Sequence, residues 1–304
     1  MTKFLFKKTL IIGVGLIGSS LSRALKSKKI SKKVIGYDRD IKVRKKCAKL
    51  KFLDSIIHNL DLYENYDLIV LATPLGSYNE ILERITPYIK SKCIITDVGS
   101  TKYSVQSEFN RYKKNEFINF IPGHPVAGLE KSGPEYGFED LFLNRYCILT
   151  SPNKRSAEYK LIKKMWEKIG MTVENMSAEH HDRVLAMTSH IPQLIAYSIV
   201  ATSTELESKI KKEVIKYSAA GFRDFTRLAG SDPIMWRDIY SMNKDAVIEM
   251  LGRFTEDLTT LQKAIRNNDS KFLEETFVST KKIRKAIEKL GQAGSFDPTE
   301  KEKK

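Results

Sequence analysis

Three glycines near the start of the chain have the spacing of a loop that binds a diphosphate. Gly13, Gly15 and Gly18 follow a short apolar run and open a stretch with helical periodicity. In such a loop the first glycine permits a tight turn, the second lets the backbone approach the diphosphate, and the third lets helix and strand pack closely. The diphosphate would lie at the helix N-terminus, against the backbone N–H groups of Leu16 and Ile17.

An acidic residue follows the next predicted strand, Val34–Tyr37. Asp38 comes twenty residues after the last of the three glycines. A carboxylate there accepts hydrogen bonds from the adenosine ribose hydroxyls and repels a 2′-phosphate, so the sequence favours NAD over NADP. The neighbouring Arg39 is the one feature that softens this preference. Thr73 lies at the end of the predicted strand Leu68–Ala72, where such sheets also bind ligands.

Two further strand ends carry side chains suited to catalysis. Ser100 lies in the segment 97–102, where it either caps the following helix or hydrogen-bonds a neighbouring side chain. His124 stands between Gly123 and Pro125 in a stiff loop. A histidine in such a place is either a structural residue or an acid–base group near the nicotinamide.

The second half of the chain offers a histidine and a pair of arginines. Pro192 is expected to bend or break the helix near His190, and such bends mark sites as well as packing faults. Arg223 and Arg227 are four residues apart, which puts them on one face of a helix. They form either a clamp for a carboxylate or a surface ion pair with an acid such as Asp224.

The run His180-His181-Asp182 has the residue types of a metal site. Adjacent residues on a helix point in different directions, so we do not expect a shared ligand role, and the sequence predicts no metal. The three cysteines are far apart and odd in number, and they form neither a metal site nor a disulfide framework. Free thiols are typical of the cytoplasm, which is the predicted location.

Short apolar runs alternate with helical patterns in the first half of the chain. This alternation predicts an α/β fold with a Rossmann-like, doubly wound and mostly parallel sheet. After residue 177 the strands give way to long helical stretches. The predicted domains are an NAD-binding domain at 1–176, an all-α domain at 177–290 and a disordered tail at 291–304. The predicted strands are Leu10–Ile12, Val34–Tyr37, Leu68–Ala72, Cys93–Thr96, Phe117–Ile121 and Tyr146–Leu149.

Apolar residues form one stripe along the last two predicted helices, from Val247 to Leu290. The stripe is interrupted at residues 267–269, where Asp269 is placed to cap the second helix. A stripe this regular is long for a domain of ~115 residues, whose small size limits what it buries alone. The sequence therefore predicts a homodimer built on the helical half.

The composition argues against nucleic-acid and membrane partners. The chain has 304 residues, 41% of them hydrophobic, and a formal net charge of +15. Its lysines outnumber its arginines and are spread over the whole length, which describes a solvated surface, whereas readers of bases and phosphates lean on arginine. The apolar run 9–17 is broken by Gly13 and Gly15, and no other stretch was expected to reach the ~18 apolar residues of a membrane helix.

Together these segments resemble the prephenate dehydrogenase family, which includes cyclohexadienyl and arogenate dehydrogenases. The resemblance implies an NAD-binding domain joined to a helical dimerisation domain that also binds substrate. It also implies oxidative decarboxylation of prephenate to 4-hydroxyphenylpyruvate, in tyrosine biosynthesis. The matching segments are Gly13–Ser19, Asp97–Lys102, Gly123–Glu130, His180–Pro192 and Gly221–Ala229, followed by Asp232-Pro233 and Trp236-Arg237-Asp238.

The resemblance also implies a role for each candidate residue. His124 takes the proton of the substrate hydroxyl, and Ser100 orients both His124 and the nicotinamide. Arg227 grips a substrate carboxylate, and His190 lines the substrate pocket. Arg223 matches a basic position that reaches the site from the partner subunit. Acidic positions near the pocket mouth match Glu130 and Asp224.

Three alternatives stay open at this point. The substrate could be arogenate, which carries an amino group where prephenate has the side-chain keto group. A 3-hydroxyacid dehydrogenase has a similar architecture, but it would need a catalytic lysine in the helical half and would leave residues 123–128 unexplained. In an NAD-sensing module without catalysis, His124 and Arg227 would be structural residues.

Overall fold

The computed structural model describes residues 4–289 except 63, 90, 113, 206–209, 211–212 and 215. The predicted tail at 291–304 therefore lies outside the described residues. By compactness the chain divides into two units, one covering residues 1–247 and the other starting at residue 248. The helices between residues 178 and 242 fall in the first unit, and Trp236 and Ile239 join one of its hydrophobic cores. The domain boundary at 176 and 177 stays a prediction.

A parallel sheet of six strands forms the centre of the first unit. The strand order is β3-β2-β1-β4-β5-β6, so the direction of strand addition reverses between β1 and β4. Sheets of this kind bind ligands at the carboxyl ends of the strands beside that reversal. The predicted α/β fold with a Rossmann-like sheet is confirmed. The strands are β1 Phe6–Ile12, β2 Ser31–Tyr37, β3 Ser55–Ile56, β4 Leu68–Leu71, β5 Cys93–Asp97 and β6 Ile118–Ile121.

The residues that follow β6 in the sequence form a second sheet, which has three strands. It contains β7 Gly123–Pro125, β8 Tyr146–Leu149 and β9 Thr172–Asn175, with β7 antiparallel and β9 parallel to β8. The predicted strand at Tyr146–Leu149 forms, but it belongs to this sheet and not to the large one. The sequence did not predict β3, β7 and β9, because their sequences Ser-Ile, Gly-His-Pro and Thr-Val-Glu-Asn contain no run of apolar residues.

Helices cover both faces of the large sheet, and the side chains of β1 alternate between the two cores. Leu10 and Ile12 face one core, which also holds Tyr78 and Phe109. Ile11 faces the other core. This period of two is the one that a strand buried on both faces requires. The helices are α1 Leu16–Ser27, α2 Ile41–Leu50, α3 Tyr78–Ile85, α4 Tyr103–Arg111 and α5 Ala157–Ile169.

All regular elements described after residue 177 are helical, as the sequence predicts. Asp269 Oδ1 accepts a hydrogen bond from the backbone N–H of Phe272 at 3.1 Å, so the predicted cap is present. A π-helical turn at Ala186–His190 joins α6 to α7. The helices are α6 Ala178–Leu185, α7 Ile191–Thr204, α8 Ala220–Thr226, α9 Pro233–Met242, α10 Lys244–Arg266 and α11 Ser270–Lys289.

One helical segment corrects the expectation that no further stretch has the length and composition of a membrane span. Ala178–Ser203 is 26 residues long and apolar enough to cross a membrane by those two criteria. Its polar side chains His181, Asp182 and Gln193 are nevertheless buried and hydrogen-bonded within the protein. Such satisfied polar groups are typical of a core helix in a globular domain.

Candidate active site

The glycine loop after β1 has the shape of a diphosphate cradle. Gly13 has a φ of +91°, and a Cβ there would come within 2.6 Å of the Ala72 carbonyl carbon. A Cβ on Gly18 would overlap the carbonyl oxygen of Gly13. At Gly15, by contrast, a Cβ would meet nothing within 4 Å, so space is open beside the N-terminus of α1. The open space and the N–H groups of the first turn, which contains Leu16 and Ile17, fit a diphosphate.

Asp38 is held at the carboxyl end of β2, next to this loop. Its Oδ2 accepts a hydrogen bond from the backbone N–H of Val14 at 3.0 Å, and its Oδ1 accepts one from Asp40 N–H at 2.9 Å. The Arg44 guanidinium donates to the carbonyl oxygens of both Asp38 and Arg39. These contacts fix the carboxylate where the ribose of a bound dinucleotide would lie.

The first prediction concerns this carboxylate. Asp38→Ser should lower the ratio of kcat/KM for NAD to that for NADP by ~10–150-fold, because a charge-assisted contact is worth about 1.5–3 kcal/mol. Steady-state kinetics with both cofactors measure this ratio. Asp40→Ser is the matched control, since Asp40 caps α2 through Lys42 N–H and a serine preserves a cap. A wild-type enzyme with the higher kcat/KM for NADP would contradict the assignment.

Thr73 lies at the end of β4, beside the glycine loop. Its Cγ2 is among the nearest atoms to the position that a Cβ on Gly13 would take, and its Oγ1 accepts a hydrogen bond from Ser77 Oγ at 2.8 Å. Because β4 neighbours β1 at the reversal of strand order, Thr73 borders the same crevice as the glycines.

A buried carboxylate at the end of β5 ties the Ser100 segment to the His124 segment. Asp97 Oδ2 accepts hydrogen bonds from Gly99 N–H at 2.8 Å and from Lys102 Nζ at 2.5 Å. Its Oδ1 accepts one from Gly123 N–H at 3.0 Å. Asp97 and Lys102 are fully buried, so the pair depends on these additional contacts to offset the cost of desolvation. The result is a rigid frame between the two candidate segments.

His124 lies in β7 with one ring nitrogen engaged. The side chain is 7% exposed, and its Nδ1 is 2.9 Å from Nε2 of His181. In the described part of the chain neither His124 Nε2 nor the Ser100 hydroxyl has a hydrogen-bond partner. The protein thus presents Nε2 as the free nitrogen of His124. The role of Ser100 in orienting His124 stays a prediction.

His181 and Asp182 are site residues that the sequence did not identify. His181 Nδ1 is 2.7 Å from Asp182 Oδ1, and both side chains are buried. The His180 side chain points away from its neighbours and is exposed, as expected for adjacent residues on a helix. The side chains of His181 and Asp182 do not diverge in this way, because they contact each other. No group of metal ligands is found among the described residues. The signal available in the sequence was the run of two histidines and an aspartate, for which a metal site was the only function considered, and it was rejected.

His190 closes the π-helical turn and carries an unpaired donor. Pro192 lacks a backbone N–H, so the regular hydrogen-bond pattern cannot continue through this point. Asn243 Nδ2 donates to the carbonyl oxygen of Asp182 at 2.9 Å and lies 3.0 Å from His190 Nδ1. His190 Nδ1 is therefore the acceptor, and Nε2 carries the proton. Nε2 is buried without a hydrogen-bond partner among the described residues, which points to a ligand group.

Arg227 lies in a short turn that is anchored to the helix of His190. Gln193 Nε2 in α7 donates to the carbonyl oxygen of Leu228 at 2.7 Å. The Arg227 guanidinium forms an ion pair with Glu130, which follows the His124 loop in the sequence. The side chains of Arg227 and Glu130 are 61% and 32% exposed, so the pair is solvated and exchangeable.

Arg223 precedes Arg227 by one helical turn and is exposed in α8. Asp224, its neighbour, is also exposed. The structure brings neither of them into the cluster around His124 and His190. A role for Arg223 in the site of the partner subunit stays a prediction.

Three buried histidines are kept neutral. Burial lowers the pKa of His124 well below 6.5, and electrostatic repulsion of a proton by the neighbouring His181, Lys102 and His190 lowers it further. Burial also lowers the pKa of His181, although Asp182 opposes that shift. Burial lowers the pKa of His190 to about 4. At neutral pH His124 therefore has a lone pair available for a proton.

The second prediction follows from these pKa values. The unfolded chain binds protons on His124, His181 and His190 below about pH 6.5, and the folded chain binds them on these residues only at lower pH, so the free energy of unfolding should fall as the pH decreases through this window. His190 alone should contribute a loss of about 2 kcal/mol between about pH 7.5 and about pH 5. Urea unfolding at fixed protein concentration measures the loss. His190→Gln should show a shallower decline, and an identical decline in both proteins would refute the prediction.

Two family models match adjacent parts of the chain. The nucleotide-binding domain of prephenate dehydrogenase matches residues 21–175, and the dimerization domain of prephenate dehydrogenase matches residues 177–279. Together they account for most of the chain, including the candidate residues from Asp38 to Arg227.

Individual relatives agree with the family models. The cyclohexadienyl dehydrogenase of Zymomonas mobilis is 38% identical over 284 residues, which cover 93% of this chain and 96% of the relative. The prephenate dehydrogenase of Lactococcus lactis is 34% identical over 93% of this chain and 78% of its own length. A crystal structure of prephenate dehydrogenase from Aquifex aeolicus, with hydroxyphenyl propionate and NAD+, has a TM-score of 0.85 at 34% identity, covering 92% of this chain and 98% of the other. The chain belongs to the prephenate dehydrogenase family.

Proposed function

We propose that this protein is an NAD-dependent dehydrogenase that converts prephenate to 4-hydroxyphenylpyruvate, with His124 as the base. The observation that carries the proposal is the free Nε2 of a buried histidine on β7, which adjoins the carboxyl end of β5 in the dinucleotide-binding sheet through Gly123 and Asp97. Its partner at Nδ1, its burial and its low pKa all keep this nitrogen available as a proton acceptor.

The substrate is a cyclohexadienol with a ring carboxylate and a carboxylated side chain. Bound NAD supplies the hydride acceptor for the ring carbon that carries the hydroxyl. His124 Nε2 accepts the hydroxyl proton as the carbonyl forms, and the carbonyl is then the electron sink for loss of the ring carboxylate as carbon dioxide. Aromatisation drives this loss. The phenolate oxygen that results takes a proton, which returns His124 to its neutral form. Ser100, on the segment that Asp97 ties to Gly123, is proposed to orient the reacting groups.

His190 and Arg227 are proposed to hold the substrate. The buried N–H at His190 Nε2 is a donor without a partner among the residues that the structure describes, and a substrate oxygen would satisfy it. Arg227 supplies a guanidinium to a substrate carboxylate in exchange for Glu130. A dianionic substrate requires fixed cations in return for the water that its carboxylates lose.

One assay tests the proposed function. Purified protein should form NADH with NAD and prephenate, and substitution of arogenate in the same assay decides whether both substrates are accepted. The name of the Zymomonas relative supports the broader cyclohexadienyl specificity as the alternative. Activity with a 3-hydroxyacid alone would indicate a 3-hydroxyacid dehydrogenase instead. NAD binding without turnover of any of these compounds would indicate an NAD-sensing module without catalysis.

A homodimer built on the last two helices is part of the proposal and gives the third prediction. Within the second unit the side chains of Ile265 and Ile283 are 64% and 62% exposed, and contact with a second subunit would bury them. Ile265→Glu or Ile283→Glu should raise the dimer dissociation constant by at least about tenfold, because burying such a side chain contributes about 1.5–3 kcal/mol. Sedimentation velocity measures this constant. Lys282→Glu, next to Ile283, controls for the introduced charge. A fully active wild-type monomer at micromolar concentration would exclude the dimer.

We further propose that the protein works in the cytoplasm without a nucleic-acid or membrane partner. Cys47, Cys93 and Cys147 are free and buried, as is usual in a reducing compartment. The spread of lysines supports the absence of a nucleic-acid partner, and the hydrogen bonds of His181, Asp182 and Gln193 within the protein support the absence of a membrane partner.

A further inference from the structure

Three buried side chains, those of His124, His181 and Asp182, are connected by hydrogen bonds on the side of His124 opposite its free Nε2. His124 Nδ1 is 2.9 Å from His181 Nε2, and His181 Nδ1 is 2.7 Å from Asp182 Oδ1. The three residues are 7%, 0% and 3% exposed. Water therefore does not compete for these contacts. The contacts within the protein determine which nitrogen of each histidine carries a proton.

The contacts of Asp182 determine the direction of each hydrogen bond. Asp182 Oδ1 accepts from the backbone N–H of Lys102 at 2.7 Å, and Oδ2 accepts from Tyr103 N–H at 2.9 Å. Since both oxygens serve as acceptors, His181 donates to Oδ1 from Nδ1. A neutral imidazole has a single N–H, so His181 Nε2 is an acceptor and receives the Nδ1–H of His124. His124 then keeps its lone pair on Nε2.

We propose that His181 and Asp182 are positioning residues that fix His124 in the tautomer with a proton on Nδ1 and a lone pair on Nε2. The inference rests on the proposed role of His124 as the base. Without these hydrogen bonds a neutral His124 would exchange between two tautomers, of which one has no lone pair facing the substrate. When Nε2 takes up the substrate proton, the two rings together become cationic, and Asp182 stabilises that charge through His181.

Two substitutions separate this role from simple packing. His181→Phe keeps an aromatic ring but has no hydrogen-bonding atom. His181→Gln loses the ring but keeps a carbonyl oxygen that accepts from His124 and an amide that donates to Asp182. If His181 only fills space next to His124, where the ring centroids are 5.1 Å apart, phenylalanine is the better replacement. If it fixes the tautomer, glutamine is the better replacement.

The kinetic expectation is therefore a ranking of the two variants. His181→Phe should lower kcat by at least about tenfold, and by less than the ~10²–10⁴-fold expected for loss of the base itself, with little change in KM for prephenate. His181→Gln should retain more activity than His181→Phe. His180→Phe is the matched control, because His180 is the exposed neighbour, and its kcat should equal that of the wild type. A kcat for His181→Phe equal to that of the wild type, or the reverse ranking, overturns the proposal.

A second measurement does not depend on activity, so it distinguishes failure of this inference from failure of the proposed function. In wild-type protein with ¹⁵N-labelled histidine, NMR at neutral pH should show His124 with a protonated Nδ1 and an unprotonated Nε2. The His124 signals are assigned by their loss in His124→Asn. In His181→Phe the two tautomers should both be populated. A wild-type His124 protonated on Nε2, or a mixture of tautomers, overturns the inference even if the enzyme turns over prephenate.

Discussion

His124→Asn should lower kcat with prephenate by ~10²–10⁴-fold, the usual contribution of a positioned acid–base group. In the proposed mechanism the lone pair on Nε2 of His124 accepts the hydroxyl proton, and asparagine offers no comparable base. The dissociation constant for NAD should hardly change, because the glycine loop and Asp38 lie at the ends of β1 and β2 and not on β7. Steady-state kinetics and cofactor titration measure the two quantities.

The pH dependence of the wild-type enzyme provides the control for this result. Protonation of His124 removes the lone pair, so kcat/KM should fall at acid pH. Burial and the neighbouring His181, Lys102 and His190 lower the pKa of His124 well below 6.5, so the fall should begin only well below that pH. His124→Asn should lack this acidic limb. A near-normal kcat in the variant, or an unchanged acidic limb, is incompatible with His124 as the base.

The parts of the structure that the sequence predicted are those encoded locally. Gly13, Gly15, Gly18 and Asp38 lie within 26 residues, and their chemistry follows from two strands, one turn and one helix. The alternation of buried strands and helices likewise predicted the parallel sheet. Pro192 predicted a disturbed helix near His190, and the disturbance is a π-helical turn.

The parts that the sequence did not predict depend on contacts between distant segments. His124 and His181 are 57 residues apart, and no local pattern shows that their rings meet. The side chains of Asp182 and His181 were expected to point in different directions. The Asp182 carboxylate instead accepts hydrogen bonds from two backbone N–H groups at the N-terminus of α4, and in this position it also contacts the His181 ring. Tertiary hydrogen bonds thus override the average geometry of neighbouring helical side chains.

Arg227 presents a choice that the spacing of the two arginines left open, between a carboxylate clamp and a surface ion pair. The structure contains the ion pair with Glu130, and both side chains are partly exposed. An exposed pair contributes at most about 1 kcal/mol, whereas a charge-assisted contact to a desolvated substrate carboxylate is worth about 1.5–3 kcal/mol. Under the proposed role of Arg227, exchange of Glu130 for a substrate carboxylate would therefore be favourable, so the ion pair in the free protein is compatible with the clamp.

Arg227→Ala should accordingly raise KM for prephenate by ~10–150-fold and leave the dissociation constant for NAD nearly unchanged. Arg227→Lys should recover only part of the loss, because lysine lacks the planar fork that binds a carboxylate through two N–H groups. Glu130→Gln separates the two roles, since it removes the same ion pair but keeps the guanidinium. If Arg227 binds substrate, Glu130→Gln should leave KM for prephenate unchanged or lower it, because the competing carboxylate is gone. Two outcomes would contradict the carboxylate clamp: an equal rise in KM for prephenate in Glu130→Gln and Arg227→Ala, or a loss of NAD binding in Arg227→Ala as large as its loss of prephenate binding. Either result would mean that Arg227 only stabilises the contact between its own turn and the segment that contains Glu130.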